Sequence, residues 1–257
     1  LNLTLASGFS VVTAALTRQE ETEYTMLDLS SSVAVVTGAN RGLGREFARQ
    51  LVELGATVFA GARNPASLDV PGATPLPLDI TDPDQVAEAA RIASDANLVI
   101  NNAGVSTFAR LVDGDLADIR KEMETNYFGT LHMVRAFAPV LKISGRGAFL
   151  NVSSVMAWLG YEHSNTYGAS KAAVWALSNG LRAELSGDGI QVSSLFLAST
   201  DTDMMADVDV PKNDPADVVR IALEGLAAGE QEILADQAAV DLKATLSQDR
   251  GRFSGAR

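Results

Sequence analysis

Short runs of aliphatic and β-branched residues alternate with longer segments of helical period, and this alternation most constrains what the chain can fold into. The runs are Val33–Thr37, Thr57–Gly61, Pro75–Asp79, Asn97–Asn101, Gly147–Val152, Ile190–Phe196 and Gln231–Ala235. The helical segments are Leu43–Leu54, Pro83–Ala93, Leu116–Leu141, Thr166–Leu185, Pro215–Ala228 and Gln237–Leu246. In the longest of them Ile119, Met123, Tyr127, Leu131, Val134 and Phe137 recur at three- and four-residue steps, one face of a helix. The short runs are almost continuously apolar, as strands covered on both faces must be. Strand alternating with helix in this way means a parallel sheet wrapped by helices. No long linker or internal repeat breaks the pattern. It predicts one α/β domain, a doubly wound parallel sheet of about seven strands with helices on both faces. Ligands of such sheets bind beyond the carboxyl ends of the strands. Glycine-rich or polar residues stand there: 38–44 after the first run, 101–104 after the fourth, Ser153 and Ser154 after the fifth, and 199–202 after the sixth.

Composition narrows the chemistry. The 257 residues are 47% hydrophobic and 20% charged, which is ordinary for a globular chain. There is no cysteine, and His132 and His163 are the only histidines, so no conventional zinc set exists and no metal site is expected. A net charge of −12 repels phosphate backbones and anionic lipid, so neither nucleic acid nor membrane is the expected partner. No apolar run approaches the roughly 18–20 residues that span a bilayer. A soluble cytoplasmic protein is the expectation. Residues 1–25 lack the basic start and cleavage site of a signal peptide, and read as an N-terminal extension or a start-site artefact. The domain is then expected over residues 26–257.

Thr37-Gly38-x-x-x-Gly42-x-Gly44 joins a strand run to a helical one. Glycines there let the chain turn tightly and let a pyrophosphate approach a helix N-terminus, where unpaired N–H groups favour an anion. No G-K-[ST] follows, which excludes a P-loop. The context points to a Rossmann-like dinucleotide site. An acidic residue at the end of the second strand would hold a ribose 2′-hydroxyl. Here that strand ends Gly61-Ala62-Arg63, and Arg41 lies in the glycine loop. Two guanidinium groups suit a 2′-phosphate, so NADP(H) is expected over NAD(H). Asp79, at the end of the third strand, and Ile80 after it are candidates to flank the adenine.

Tyr167 and Lys171 stand at i and i+4, one turn apart on one helical face. An adjacent ammonium would lower the phenol's proton affinity and fit it to exchange a proton with a carbonyl–alcohol pair. With the glycine loop, Asn101-Asn102-Ala103-Gly104, and Ser154 thirteen residues before Tyr167, the chain resembles the short-chain dehydrogenase/reductase family over residues 32–247. The resemblance implies that Tyr167 is the general acid of carbonyl reduction and that Lys171 lowers its pKa and binds the nicotinamide ribose. It implies that Ser154 bonds the substrate oxygen and that Asn126 holds a water linking Lys171 to solvent. Strand alternation turns the neighbouring Ser153 the other way. The implied cofactor contacts are Gly38, Asn40, Arg41, Gly42, Leu43, Gly44, Arg63, Asp79, Ile80, Asn102, Ala103, Gly104, Tyr167, Lys171, Thr200 and Thr202.

One departure stands out. The family places Pro-Gly after the sixth strand, where this chain has Leu197 and Ala198. Substrate contacts are expected from Ser154, Trp158, Tyr161 and Tyr167, within a mostly apolar wall that includes Ser106, Phe108, Leu159, His163, Met204 and Met205. A small, neutral ketone, aldehyde or alcohol is the expected substrate, and a catalytically silent NADP(H) sensor is the alternative. A serine hydrolase built on Ser154 and His163 is disfavoured, because no G-x-S-x-G elbow exists. Phe128, Met133, Val174, Trp175 and Leu181 exceed what one buried face needs. With the resemblance, they predict a homodimer or homotetramer.

Overall fold

A computed structural model describes residues 27–247. The strands are β1 Val33–Thr37, β2 Thr57–Ala62, β3 Thr74–Pro77, β4 Leu98–Asn101, β5 Gly147–Val152, β6 Ile190–Phe196 and β7 Glu232–Leu234. The helices of more than one turn are α1 Gly42–Leu54, α2 Pro83–Ile92, α3 Leu116–Glu122, α4 Thr130–Ile143, α5 Asn165–Leu185, α6 Pro215–Ala227 and α7 Gln237–Ala244. The strands form one seven-stranded sheet in the order β3-β2-β1-β4-β5-β6-β7. Every neighbouring pair is parallel. The order reverses between β1 and β4, and a crevice opens there at the carboxyl edge.

Alternate residues of each strand feed opposite apolar layers. Ala34, Val36, Leu98, Ile100 and Leu150 pack with Phe47 and Leu51 of α1 and Leu223 and Leu226 of α6. Val35, Val99 and Phe149 pack with Met133, Phe137 and Leu141 of α4 and Leu181 of α5. Helix starts follow local rules. Asp82 and Asp214 cap α2 and α6 through backbone N–H groups, each followed by a proline at the first helical position.

The sequence reading needs three corrections. The third strand ends at Pro77 rather than Asp79, because the Asp79 carboxylate accepts from the Thr81 N–H and hydroxyl and turns the chain. The long segment 116–141 is not one α-helix: Met123–Gly129 is π-helical, a wider turn that hydrophobic period alone does not reveal. Most of the apolar residues singled out on the long helices pack inside the chain. Met133, Val174 and Leu181 are buried and Trp175 packs on Trp158 and Phe196, which leaves Phe128, 41% exposed, as the one outward member. The expected extension, residues 1–25, lies outside the described residues, as do 26 and 248–257. Among the described residues no helix is long and apolar enough to cross a membrane, and no acidic or histidine cluster could hold a metal ion.

Phe137 is fully enclosed between α4 and the sheet. Phe137→Ala should cost about 3–5 kcal/mol, lost transfer energy plus a residual cavity. Urea unfolding followed by circular dichroism should show a lower midpoint with unchanged slope.

Candidate active site

The crevice is held together at its base by side chains of the two strands that flank it. The Thr37 hydroxyl accepts from the N–H groups of Asn102 (3.0 Å) and Ala103 (2.9 Å), and the Asn102 carboxamide donates back to the Thr37 carbonyl at 2.9 Å. This contact leaves no room for a side chain at Gly44. A Cβ on Gly44 would stand 2.1 Å from the Gly38 carbonyl oxygen and 2.4 Å from the Asn102 amide nitrogen. Gly38 and Gly42 have φ of +66° and +50°, which residues with a Cβ adopt only at a cost. The first turn of α1 follows with no side-chain cap from Arg41.

A cavity of about 1410 Å³ runs along the carboxyl edge. Its lining includes every residue expected to touch the cofactor: Gly38, Asn40, Arg41, Gly42, Leu43, Gly44, Arg63, Asp79, Ile80, Asn102, Ala103, Gly104, Tyr167, Lys171, Thr200 and Thr202. Ser154, Ser106, Phe108, Leu159, Tyr161, His163, Met204 and Met205 line it too. Arg41 forms an exposed ion pair with Asp203 at 3.5 Å, and Asn64 and Ser67 join Arg63 in the same lining.

Ser154 follows β5 and caps a short turn, its Oγ accepting the Met156 N–H at 3.1 Å. α5 comes close enough to that turn that a Cβ on Gly168 would lie 2.7 Å from the Met156 carbonyl oxygen. Tyr167 and Lys171 therefore stand beside Ser154. The buried Lys171 ammonium donates to the Val152 carbonyl at 2.8 Å and lies 5.6 Å from the Tyr167 ring centre. The Ser153 hydroxyl is spent on the Lys171 carbonyl at 3.3 Å. Asn126 sits in the π-helical turn just behind the cavity. Its amide nitrogen donates to the Val105 carbonyl (2.9 Å) and Ser170 Oγ (2.8 Å), and its Oδ1 accepts the Val105 N–H at 2.8 Å.

Burial sets the proton affinities of the pair. Tyr167 is surrounded by protein although part of its surface opens to the cavity, and this desolvation raises its pKa. A hydrogen bond with Ser154 opposes the rise, and the Glu122 charge adds to it. Burial lowers Lys171 to about 8. A depression of Tyr167 by Lys171 is not among these influences. The ammonium faces the Val152 carbonyl, and desolvation dominates.

The sequence model of the short chain dehydrogenase family matches residues 32–213. This chain belongs to the short chain dehydrogenase family. Human 17-beta-hydroxysteroid dehydrogenase type 2 is 38% identical over an alignment 187 positions long, which covers 66% of this chain and 48% of that protein. The chain thus spans about half the length of that relative. A short chain dehydrogenase from Burkholderia cenocepacia J2315, solved in complex with NADP, is 39% identical with a TM-score of 0.84, over 87% of this chain and 96% of that one. A short chain dehydrogenase/reductase from Burkholderia phymatum, in complex with NAD, shares the fold at 23% identity and a TM-score of 0.81, over 90% and 100% of the two chains.

Two further expectations change within this short-chain dehydrogenase. Trp158 does not line the cavity. It is buried, 7% exposed, stacked on Phe196 at 4.1 Å and edge-on to Trp175, because the turn after Ser154 directs it into a satellite core under α7. It is withdrawn as a substrate contact. Leu197 and Ala198 impose no backbone strain, since among the described residues only Phe108 and His163 have positive φ without being glycine. The Ala198 N–H instead donates to Asp236 at 2.7 Å, and Asp236 also accepts from Asn213 at 2.8 Å. Sequence reasoning missed Asn64, Ser67 and Glu122. The first two carry only the signal of adjacency to Arg63, and the last lies one turn before Asn126.

Lys171 gives a pH test of the burial. Its folded pKa, about 8, lies below the value of 10.5 for a free lysine, so the unfolded chain binds more protons between those values and stability rises with pH there. Lys171→Met should therefore gain stability over the wild type at pH 7, and the gain should shrink as pH climbs through about 8 toward 10.5. Thermal melts of both proteins across that range check it.

Proposed function

We propose that this short-chain dehydrogenase is an NADP(H)-dependent oxidoreductase that interconverts a carbonyl and a secondary or primary alcohol on a small, mostly apolar substrate. The observation that carries the reading is that Ser154, Tyr167 and Lys171 share one cavity with the glycine loop. The residues present fit a dinucleotide. Gly38, Gly42 and Gly44 put no Cβ at three positions of the loop that opens α1, and Arg41, Arg63, Asn64 and Ser67 give one end of the cavity phosphate-binding chemistry. The fold hosts NADP in one relative and NAD in another, so the choice of NADP(H) rests on the two arginines. The nicotinamide, when bound, supplies or accepts the hydride.

The chain's own residues handle the proton and the charge. A Tyr167 phenol whose pKa is raised by burial stays protonated at neutral pH, which suits donation to a carbonyl oxygen in reduction. Ser154 Oγ donates to the same oxygen and stabilises the charge that develops there. Lys171 offers an ammonium toward the ribose end. Asn126 spends both amide hydrogens on Val105 and Ser170, so its part is to hold those two elements, with Oδ1 left to share between Val105 and a water. Phe108, Leu159, Tyr161, Met204 and Met205 make the substrate end apolar. Pairing of two copies through the long helices would draw on Phe128, the one exposed member of the set first considered.

A panel of ketones, aldehydes and alcohols, followed by nicotinamide absorbance with NADPH and with NADH, tests the reading. Turnover is expected, and binding without turnover on any substrate would favour the sensor. Tyr167→Phe should cut turnover at least ~10²-fold while NADPH affinity stays near wild type, because only the proton donor is lost. Substantial residual reduction would move the acid elsewhere. Replacing Arg41 and Arg63 together by Ala should weaken NADPH binding by about 2–4 kcal/mol and leave NADH nearly unchanged. Calorimetry with each coenzyme reads this, and equal losses would sink the 2′-phosphate assignment.

A further inference from the structure

Asp236 stands at the start of α7, where three segments of the chain meet. Its Oδ1 accepts the N–H of Ala239 at 2.8 Å, an ordinary N-cap. Its Oδ2 accepts two donors from elsewhere: the N–H of Ala198, just after β6, at 2.7 Å, and the Asn213 carboxamide at 2.8 Å. Asn213 is also where the excursion 202–212 returns to its beginning. Its N–H donates to the Ser199 carbonyl at 2.8 Å, and its carbonyl accepts from the Asp201 N–H at 3.0 Å. The excursion is thus a flap with a closed base, and the base hangs on Asp236.

A cap needs one oxygen. The aspartates that cap α2, α3 and α6, namely Asp82, Asp115 and Asp214, bond only within the first turns of their own helices. An asparagine caps as well as an aspartate does, but it has a single acceptor oxygen and a nitrogen that only donates. Capping therefore accounts for Oδ1 of Asp236 and not for Oδ2, which faces two N–H donors. The helix to which these donors are tied has a second anchor. Lys243 of α7 pairs with Glu232 of β7, and its Nζ lies 5.2 Å from the ring centres of both Trp158 and Trp175.

What hangs from this junction faces the cavity. Thr200 and Thr202 at the base, Met204, Met205 and Val208 on the flap, and Leu242 on α7 all line it. Away from its base the flap has one polar tie to the rest of the described residues, the exposed ion pair of Asp203 with Arg41. Exposed pairs of that kind hold little.

We propose that Asp236 is a positioning residue for the substrate wall: by bonding Ala198 and Asn213 through one oxygen it sets the flap against α7, and so fixes where Met204, Met205 and Val208 stand relative to Thr200 and Thr202. The proposal rests on the reading of this cavity as the oxidoreductase site. Neither Asp236 nor Asn213 is among the lining residues, so their effect reaches the substrate through the flap.

The test reads the flap and the substrate separately. The full chain carries methyl-¹³C methionine, six residues in all, with the fully buried Met133 of α4 as internal reference. Met204→Leu and Met205→Leu assign the flap signals. Asn213→Asp sets two carboxylates face to face, and should move both flap signals toward the position of free methionine while Met133 stays. Asn213→Asp combined with Asp236→Asn keeps the cap and restores a donor and an acceptor across the gap, and should return both signals toward wild type. Asn213→Ala removes the bond without adding a charge. It should move the signals as Asn213→Asp does, and it serves should that variant fail to fold. With NADPH and whichever ketone of the panel turns over fastest, Asn213→Asp should raise KM on the order of tenfold, and the double variant should bring KM back. kcat should stay near wild type in both, because Ser154, Tyr167 and Lys171 are untouched. Flap signals that superimpose on wild type in the Asn213 variants overturn the clamp, and so does a double variant no closer to wild type than Asn213→Asp. Moved signals with an unchanged KM, or a fall in kcat at constant KM, overturn the role in substrate positioning. Failure of the enzymatic reading looks different: the wild type turns over nothing on the panel while the flap signals still move and return, which ends the substrate role and supports the clamp.

Discussion

The bond pattern between Thr37 and Asn102 is the contact on which the rest of the site depends. A parallel sheet delivers all its strand ends to one edge, where the chain must leave the ladder and find new partners for its backbone polar groups. At the reversal of strand order the two central strands send their helices to opposite faces, and no neighbouring strand covers the gap. One hydroxyl accepting two backbone N–H groups, and one carboxamide returning a bond, close that gap without filling it. The glycine loop can then lie directly on the loop after β4. The requirement for glycine at position 44 follows from this contact as much as from any ligand, since the Cβ would strike protein atoms first.

The same edge carries an unusual density of buried polar side chains. Asn101, Asn151 and Ser178 form a chain of bonds behind it, Asn101 donating to Asn151 at 2.8 Å and Asn151 to Ser178 at 2.9 Å. Ser170, Asn126 and Val105 form a second. Buried polar networks specify a unique arrangement when their members are satisfied, and they are expensive where one is not. Among the described residues Asn101 Oδ1, Ser106 Oγ, Glu122 Oε2 and the Trp158 indole nitrogen are buried side-chain atoms without a partner. The π-helical turn belongs to the same economy of space. It interrupts the helix between Glu122 and Thr130 in the stretch where Asn126 must reach both the β4 loop and α5.

How much was legible depends on how local each feature is. The seven strands and the doubly wound fold follow from periodicity, and the structure has them, although the third strand stops at Pro77. The glycine loop stands between β1 and α1, and Tyr167 and Lys171 lie one turn apart on α5, as their spacings within single elements require. The side chain of Trp158 does not, because its direction is set by a single turn after Ser154 that hydrophobicity cannot orient. The surplus apolar residues of the long helices suggest an interface when only their number is read. Packing against β5, β6 and the satellite cluster with Phe196 decides for core in four of the five. Nothing in the sequence singles out Glu122, since only a fold that lays the loop after β4 across α3 buries it.

By itself, then, the sequence determined the α/β sheet, the edge at which the site lies and the residue types available to it, because hydrophobic period and glycine requirement are properties of short stretches of chain. Only the tertiary structure decided the proton affinities of Tyr167 and Lys171, the withdrawal of Trp158, the burial of Glu122, and the relaxed path through Leu197 and Ala198. Each of those depends on what desolvates or bonds a group from elsewhere in the chain. Burial and long-range contact exist only once the elements have packed.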